Sequence, residues 1–191
     1  MKKDIILAGV GGQGILSMAA IIGTCALNKG MALKQSEVHG MSQRGGDVMS
    51  HLRLSDKEIY SDLIALGQAD IIISMEPMES LRYLPYLKKD GWVISSSAPF
   101  INIPNYPNLE SVLSEIDKIK NHVLIPAEEM AKELGSDKVV NTIILGASAP
   151  YLGFEKNEMH TAIMQIFKNK GDAIVDVNIK AFEKGYNFKN V

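Results

Sequence analysis

The chain has 191 residues, a hydrophobic fraction of 46%, a charged fraction of 22% and a formal net charge of −2 at pH 7. This length suits one globular domain, which we expect to cover residues 1–191. The near-neutral charge argues against a nucleic-acid-binding protein, because such proteins usually carry a basic balance. The single cysteine, Cys25, excludes an internal disulfide and a four-thiolate iron–sulfur cluster held by this chain alone. One thiol fits a reducing cytoplasm, where we expect the protein to be located.

One stretch is long enough to span a bilayer, since residues 5–27 include no charged side chain. Four glycines interrupt that stretch near its start. A buried strand followed by a buried helix gives the same hydropathy, because both are covered on most faces. We therefore interpret the stretch as a strand and a helix, and expect no membrane association.

The remaining elements follow from hydrophobic periodicity and turn residues along the chain. Strands are expected at Ile5–Val10, Ala32–Glu37, Val48–Leu54, Ala69–Met75, Trp92–Ser95 and His122–Ile125. Helices are expected at Ile15–Leu27, Met78–Lys88, Leu109–Lys118 and Pro126–Leu134, with three more after Lys138 that break near Gly153 and Gly171. Glu58–Tyr60 is expected to return along the Val48–Leu54 strand as a hairpin.

Alternation of strands and helices predicts an α/β fold, with a mostly parallel sheet and helices on both faces. We expect a Rossmann-like three-layer domain in which the hairpin is an insertion.

The segment Gly9–Gly14, called the glycine turn below, has the spacing G-x-G-x-x-G between a strand and a helix. In this motif Gly9 permits the tight turn, Gly11 lets backbone amides approach a phosphate, and Gly14 lets helix and strand lie close together. The helix amino terminus adds unpaired N–H groups and partial positive charge. Gly9, Gly11, Gly12, Gln13 and Gly14 are therefore candidate ligand-binding residues, although the glycines can equally serve packing alone.

A dinucleotide site also needs an acidic residue about twenty positions further on, to bind the ribose hydroxyls. Glu37 lies near the end of the second predicted strand and fits that role. An NAD(P)-dependent dehydrogenase is thus one interpretation of the glycine turn. A dehydrogenase would also need a second domain to hold its substrate, and the sequence offers none.

A second glycine-rich segment, Gly40–Gly46, follows the second strand and is called the second loop. Its glycines allow close approach by a ligand or a partner. Arg44 offers a planar fork of donors for phosphate or carboxylate, and Gln43 can both donate and accept. Gln43, Arg44, Gly45 and Gly46 are therefore further candidates, with an ordinary structural loop as the alternative.

Together these motifs resemble the 2-oxoacid:acceptor oxidoreductase gamma family, and most of all its indolepyruvate:ferredoxin branch. The resemblance covers nearly the whole chain. It rests on the glycine turn with its Gln13, the second loop with Gln43 and Arg44, the hairpin, Asn141–Gly146 and Asn178–Gly185.

The resemblance implies a small subunit of an enzyme that decarboxylates a 2-oxoacid, reduces ferredoxin and forms an acyl-coenzyme A. Thiamine diphosphate, Mg²⁺ and the iron–sulfur clusters would then lie on a large, alpha-type partner subunit. This chain would carry no redox centre and would serve assembly and the binding of coenzyme A. A free-standing NAD(P) dehydrogenase and a nucleotide-binding module without a reaction stay open as alternatives.

Overall fold

A six-stranded sheet lies at the centre of the computed structural model, which describes residues 1–39 and 46–189. The strands in chain order are β1 (Lys2–Val10), β2 (Ala32–His39), β3 (Asp47–Ser55), β4 (Ala69–Ser74), β5 (Leu87–Ser96) and β6 (His122–Ile125). Across the sheet they follow the order β2-β3-β1-β4-β5-β6. Strands β1, β4, β5 and β6 are parallel, whereas β3 is antiparallel to both of its neighbours.

Helices cover both faces of this sheet. Those in the described part of the chain are α1 (Ile15–Asn28), α2 (Pro77–Arg82), α3 (Leu109–Asp117), α4 (Ala127–Glu133), α5 (Val140–Leu152), α6 (Lys156–Phe167) and α7 (Asp172–Tyr186). Alternate residues of β1 supply two cores: Ile5 and Leu7 join the larger one with α1 and α4 to α7, and Ile6 joins the smaller one beside α3. Burial on both faces explains the uninterrupted apolar run of β1. The predicted three-layer α/β fold is confirmed.

The predicted hairpin of Val48–Leu54 with Glu58–Tyr60 is wrong. Glu58–Tyr60 forms no strand, and Tyr60 is 86% exposed. Strand β3 instead pairs with β2 on one side and with β1 on the other, along nearly its whole length. Because β3 is a buried internal strand, it needs a hydrogen-bonding partner on each edge. The segment after it runs irregularly, and the Arg53 guanidinium holds the carbonyls of Ser61 and Leu63.

The predicted helix Met78–Lys88 is also too long. Helix α2 ends at Arg82, a 3₁₀ turn follows at Leu84–Tyr86, and β5 begins at Leu87. Pro85 explains the early end, because proline lacks the N–H that a continuing helix would need. Asp90 and Gly91, expected to end the helix, lie inside β5 where its register against β4 shifts.

The prediction for the carboxyl-terminal third is confirmed. Strand β6 covers His122–Ile125, and the helices after it break at Gly153 and Gly171 as expected. Gly153 ends α5 with a φ of 81°, in the left-handed region that favours glycine.

Helices α5 and α7 cross at two glycines with no room for a side chain. A Cβ on Gly185 would lie 1.9 Å from the carbonyl oxygen of Ile143, and one on Gly146 would lie 2.2 Å from that of Phe182. Both obstacles are backbone atoms, so the helices themselves would have to separate. The crossing fixes α7 against α5, and both helices contribute to the site described below.

We therefore predict that Gly185→Ala destabilises the protein, because the added methyl group forces α5 and α7 apart. Overpacking of this kind costs roughly 1–3 kcal/mol, which lowers the melting temperature of a chain this size by about 2–12 °C. Thermal unfolding followed by circular dichroism measures the change.

Gly23→Ala in α1 is the matched control, since its Cβ would meet only the flexible end of the Leu33 side chain, at 3.1 Å. We expect the control to unfold within a few degrees of the natural protein. Equal melting temperatures for both variants would contradict the proposed crowding.

Candidate functional site

A cleft of about 770 Å³ lies at the carboxyl ends of the parallel strands. Its walls come from the segments that follow β1, β4, β5 and β6, together with α5 and α7. In open α/β sheets ligands bind at this edge, where the chain switches direction across the sheet. That switch lies between β1 and β4, because α1 leads from β1 toward the β2 side and the later strands add on the other side. The cleft therefore occupies the position where a ligand is expected.

The glycine turn forms one edge of the cleft. Gly12 and Gly14 have φ angles of 100° and 83°, which other residues rarely adopt. A Cβ on Gly14 would lie 2.7 Å from Nδ2 of Asn141, and a Cβ on Gly9 would lie 2.9 Å from Cβ of Met75. Backbone conformation and close packing thus require glycine at these positions.

Two other residues of the turn use their polar groups internally. Oε1 of Gln13 accepts a hydrogen bond from the Val10 amide at 2.7 Å. The Gly11 amide, expected from the sequence to approach a phosphate, instead donates to the carbonyl of Gly46 at 3.0 Å. Contact with a ligand phosphate would therefore fall to Gly12 and to the first turn of α1.

The bond from Gly11 to Gly46 also brings the two glycine motifs together. Gly46 is the residue at which the second loop returns to the sheet, just before β3. Gln43, Arg44 and Gly45 lie outside the described residues, and their roles stay predictions.

Helix α1 points its amino terminus into the cleft. Its N-cap residue is Gly14, and within the described residues no side chain caps the helix and no acid lies in its first turn. The first amides of such a helix lack intrahelical partners and carry partial positive charge. The Ser17 side chain adds a hydroxyl to the same wall. This end of the cleft can bind an anion.

Two buried asparagines on neighbouring helices form the floor of the cleft. Nδ2 of Asn141 donates to the Gly14 carbonyl at 3.1 Å, and its Oδ1 accepts from the Thr142 amide at 2.9 Å. The Thr142 hydroxyl donates to Oδ1 of Asn178 at 2.7 Å. This network connects the glycine turn to α5 and α7. It gives a physical role to both asparagine motifs singled out in the sequence.

The charged residues that line the cleft were not predicted from the sequence. Lys132 comes from α4, Lys138 from a 3₁₀ turn before α5, and Lys170 from another before α7. Glu128 and Asp137 line the cleft as well. The lining therefore carries one more positive than negative charge, in addition to the partial charge of α1.

The wall of the cleft that follows β5 and β6 carries a partly buried carboxylate. Oε2 of Glu128 accepts a hydrogen bond from Oγ of Ser96 at 2.6 Å, and Ser96 Oγ accepts from the Ala98 amide at 3.0 Å. Burial raises the pKa of Glu128, and the Ser96 bond counteracts part of that effect. Phe100, two residues after Ala98, lines the same wall and is 41% exposed.

Glu37, the candidate for a ribose contact, is displaced from the glycine turn. In the expected arrangement β2 would lie directly beside β1, but β3 separates the two strands. Two strand spacings put β2 roughly 9–10 Å from β1. Glu37 lies on this outer strand, β2, where it pairs with Ser50 of β3. The inserted strand thus removes the main support for the dehydrogenase interpretation.

Cys25 is buried in the larger core. Its thiol donates to Sδ of Met159 at 3.3 Å, and burial raises its pKa to about 12. Across residues 1–39 and 46–189 no three His, Cys, Asp or Glu side chains are grouped as metal ligands. Nor is any helix of that region long and apolar enough to cross a membrane.

Comparison with known proteins gives consistent results. A family model described as pyruvate ferredoxin/flavodoxin oxidoreductase matches residues 4–188. The chain is 36% identical to the indolepyruvate oxidoreductase subunit IorB of Pyrococcus horikoshii, over 97% of this chain and 95% of that protein.

Two solved structures have a similar fold. The gamma subunit of a keto/oxoacid ferredoxin oxidoreductase from Geobacter sulfurreducens matches with a TM-score of 0.71 and 22% identity over 96% of each chain. The 2-oxoglutarate:ferredoxin oxidoreductase from Magnetococcus marinus matches with a TM-score of 0.76 and 20% identity. That match covers 100% of this chain and 32% of the other, so this chain spans about a third of its length. At these identities the two structures show the fold alone.

The family match and the 36% identity each extend over almost the full chain. They confirm the resemblance carried by the glycine turn, the second loop and the two asparagine motifs. The chain belongs to the pyruvate ferredoxin/flavodoxin oxidoreductase family, as a small, gamma-type subunit of a 2-oxoacid oxidoreductase.

Proposed function

We propose that this chain is the coenzyme A-binding small subunit of a cytoplasmic indolepyruvate:ferredoxin oxidoreductase. The observation that carries the proposal is the cleft, which joins the glycine turn to three lysines from separate segments. The 36% identical relative is named as a subunit of an indolepyruvate oxidoreductase, which supports the substrate. The structure from Magnetococcus marinus contains coenzyme A and succinyl-coenzyme A, which supports the ligand.

Coenzyme A combines anionic phosphates with a purine and a long, weakly polar arm, and the cleft offers a surface for each. The amino terminus of α1 and the side chains of Lys138 and Lys170 suit the phosphates. Apolar side chains such as Met75, Val139 and Phe167 also line the cleft and suit the arm. Gln43, Arg44, Gly45 and Gly46 enter the proposal from the sequence, as contacts to this ligand or to the partner subunit.

The proposal divides the reaction between two chains. Thiamine diphosphate with Mg²⁺ supplies the decarboxylation chemistry on a large, alpha-type subunit, whose iron–sulfur clusters reduce ferredoxin. The one thiol of this chain is buried, with a raised pKa, and so is unsuited to carry an acyl group. The role of this chain is to bind coenzyme A and to orient its free thiol toward the partner subunit.

If the cleft binds coenzyme A, the ligand stabilises the folded chain against heat. At a hundred times its dissociation constant, a ligand that binds only the folded state adds about 2.7 kcal/mol. We expect coenzyme A to raise the melting temperature in differential scanning fluorimetry, and NADH and NADPH to leave it unchanged. Protection by a nicotinamide nucleotide without protection by coenzyme A would favour the dehydrogenase interpretation.

Reversing the charge of cleft lysines tests whether coenzyme A binds in the cleft. The double variant Lys138→Glu/Lys170→Glu should weaken coenzyme A binding about ten-fold at low salt, because two attractive charges become repulsive. Lys120→Glu/Lys180→Glu is the matched control, since it makes the same change of net charge at exposed lysines outside the cleft. Equal weakening by both double variants would indicate non-specific attraction instead of a site.

If the cofactors lie on the large subunit, the isolated chain is expected to be colourless and inactive. Mixed with its large partner subunit, it should restore indolepyruvate- and coenzyme A-dependent reduction of a viologen dye. Absorption spectra and the dye assay, each run on the chain alone, the partner alone and the mixture, measure both properties. Turnover of indolepyruvate by this chain alone, with thiamine diphosphate supplied, would refute the proposal.

A further inference from the structure

The residues that line the cleft differ in their chemistry. The glycine turn, the amino terminus of α1, Lys138 and Lys170 suit an anion, whereas the wall after β5 and β6 presents Phe100 and the hydrogen-bonded carboxylate of Glu128, with Lys132 one helical turn further along α4. A carboxylate repels phosphate, so a phosphorylated ligand should turn another part of itself toward this wall. The wall should therefore contact an uncharged, planar part that can donate a hydrogen bond.

Three hydrogen bonds fix the geometry of the wall. Ser96 Oγ donates to Glu128 at 2.6 Å and accepts from the Ala98 amide at 3.0 Å. The Ser97 amide donates to the Ile125 carbonyl at 2.9 Å, which ties the loop after β5 to the end of β6. The loop that carries Phe100 and the helix that carries Glu128 are thus joined by hydrogen bonds, and both residues line the cleft.

The carboxylate retains acceptor capacity for a ligand. A carboxylate has about four lone-pair sites, of which the Ser96 hydroxyl and the backbone amide of Glu128 itself use two. Its burial is costly for an ionised group, and a ligand N–H would reduce that cost by adding a hydrogen bond. Phe100, 41% exposed, offers an aromatic surface on which a base can stack.

We propose that Phe100 and Glu128 form the adenine-recognising end of the cleft, where Phe100 stacks on the purine and Glu128 accepts a hydrogen bond from its exocyclic amine. This inference rests on the proposed function and extends it to the nucleoside. The acidic residue of this site comes from the half of the sheet opposite to Glu37, the residue that the sequence predicted for a ribose contact. Adenine fits because its N6 group is a donor, whereas hypoxanthine carries a carbonyl acceptor there.

Binding of three ligands to the full chain, alone and in complex with its partner subunit, tests this assignment by isothermal titration calorimetry. The ligands are coenzyme A, its deaminated form with hypoxanthine, and phosphopantetheine, which has no base. The natural chain should bind coenzyme A roughly ten- to hundred-fold more tightly than the deaminated form, since a charge-assisted hydrogen bond is replaced by a repulsion.

Substitutions separate the two contacts. Glu128→Gln should bring the ratio between the two purine ligands close to one, because an amide can accept from an amine or donate to a carbonyl. Phe100→Ala should weaken both purine ligands equally, by roughly five- to hundred-fold, because stacking tolerates either base. Neither variant should change the affinity for phosphopantetheine. Glu129→Gln, on the exposed side of the same helical turn, is the matched control and should behave like the natural chain.

The outcomes distinguish this inference from the proposed function. If the natural chain binds both purine ligands equally, or if Glu128→Gln keeps the full discrimination, the adenine assignment is wrong while coenzyme A binding stands. If Glu128→Gln and Glu129→Gln have the same effect, Glu128 acts only through the electrostatics of α4. If the natural chain binds none of the three ligands, alone or in the complex, the proposed function fails and this inference fails with it.

Discussion

The antiparallel pairing of β3 with β1 is the constraint on which the rest of the structure depends. It extends over nine residue pairs, from Lys2 with Ser55 to Val10 with Asp47. Because β3 occupies the edge of β1 that β2 would otherwise take, β2 moves outward and Glu37 moves with it. The same pairing returns the chain to the glycine turn, where the Gly11 amide meets the Gly46 carbonyl. A fold common among dinucleotide-binding proteins is thereby changed at the point where a dinucleotide would bind.

The other half of the site depends on the carboxyl-terminal helices. The left-handed Gly14 leaves space for Asn141, whose amide holds the Gly14 carbonyl, and Thr142 extends the network to Asn178 on α7. The close crossing of α5 and α7 keeps these asparagines in place. The cleft therefore joins segments from the beginning and the end of the chain. A ligand bound there contacts both halves of the fold, which suits the proposed role of presenting the coenzyme A thiol to a partner subunit.

The sequence predicted the features set by local pattern: the strand and helix around the glycine turn, β6, and the helix breaks at Gly153 and Gly171. It did not predict features set by distant contacts. Strand β3 pairs with β1 and β2 because it is an internal strand of the sheet. The hydrophobic periodicity of a single strand does not reveal which strands lie beside it. Lys132, Lys138 and Lys170 stand on separate segments without a shared motif, so only the folded chain groups them. The early end of α2 could have been predicted from Pro85. The rule that ligands bind at the carboxyl ends of parallel strands could have drawn attention to Glu128, just after β6.

The central claim is that the cleft beside the glycine turn is where this subunit meets coenzyme A. Hydrogen–deuterium exchange with and without coenzyme A tests it most directly, because the method reports the location of binding. The account predicts slower exchange in peptides covering residues 12–18 and 136–141, and unchanged exchange in residues 59–66, which lie outside the cleft. Slower exchange confined to residues 59–66, with none around the glycine turn, would contradict the account.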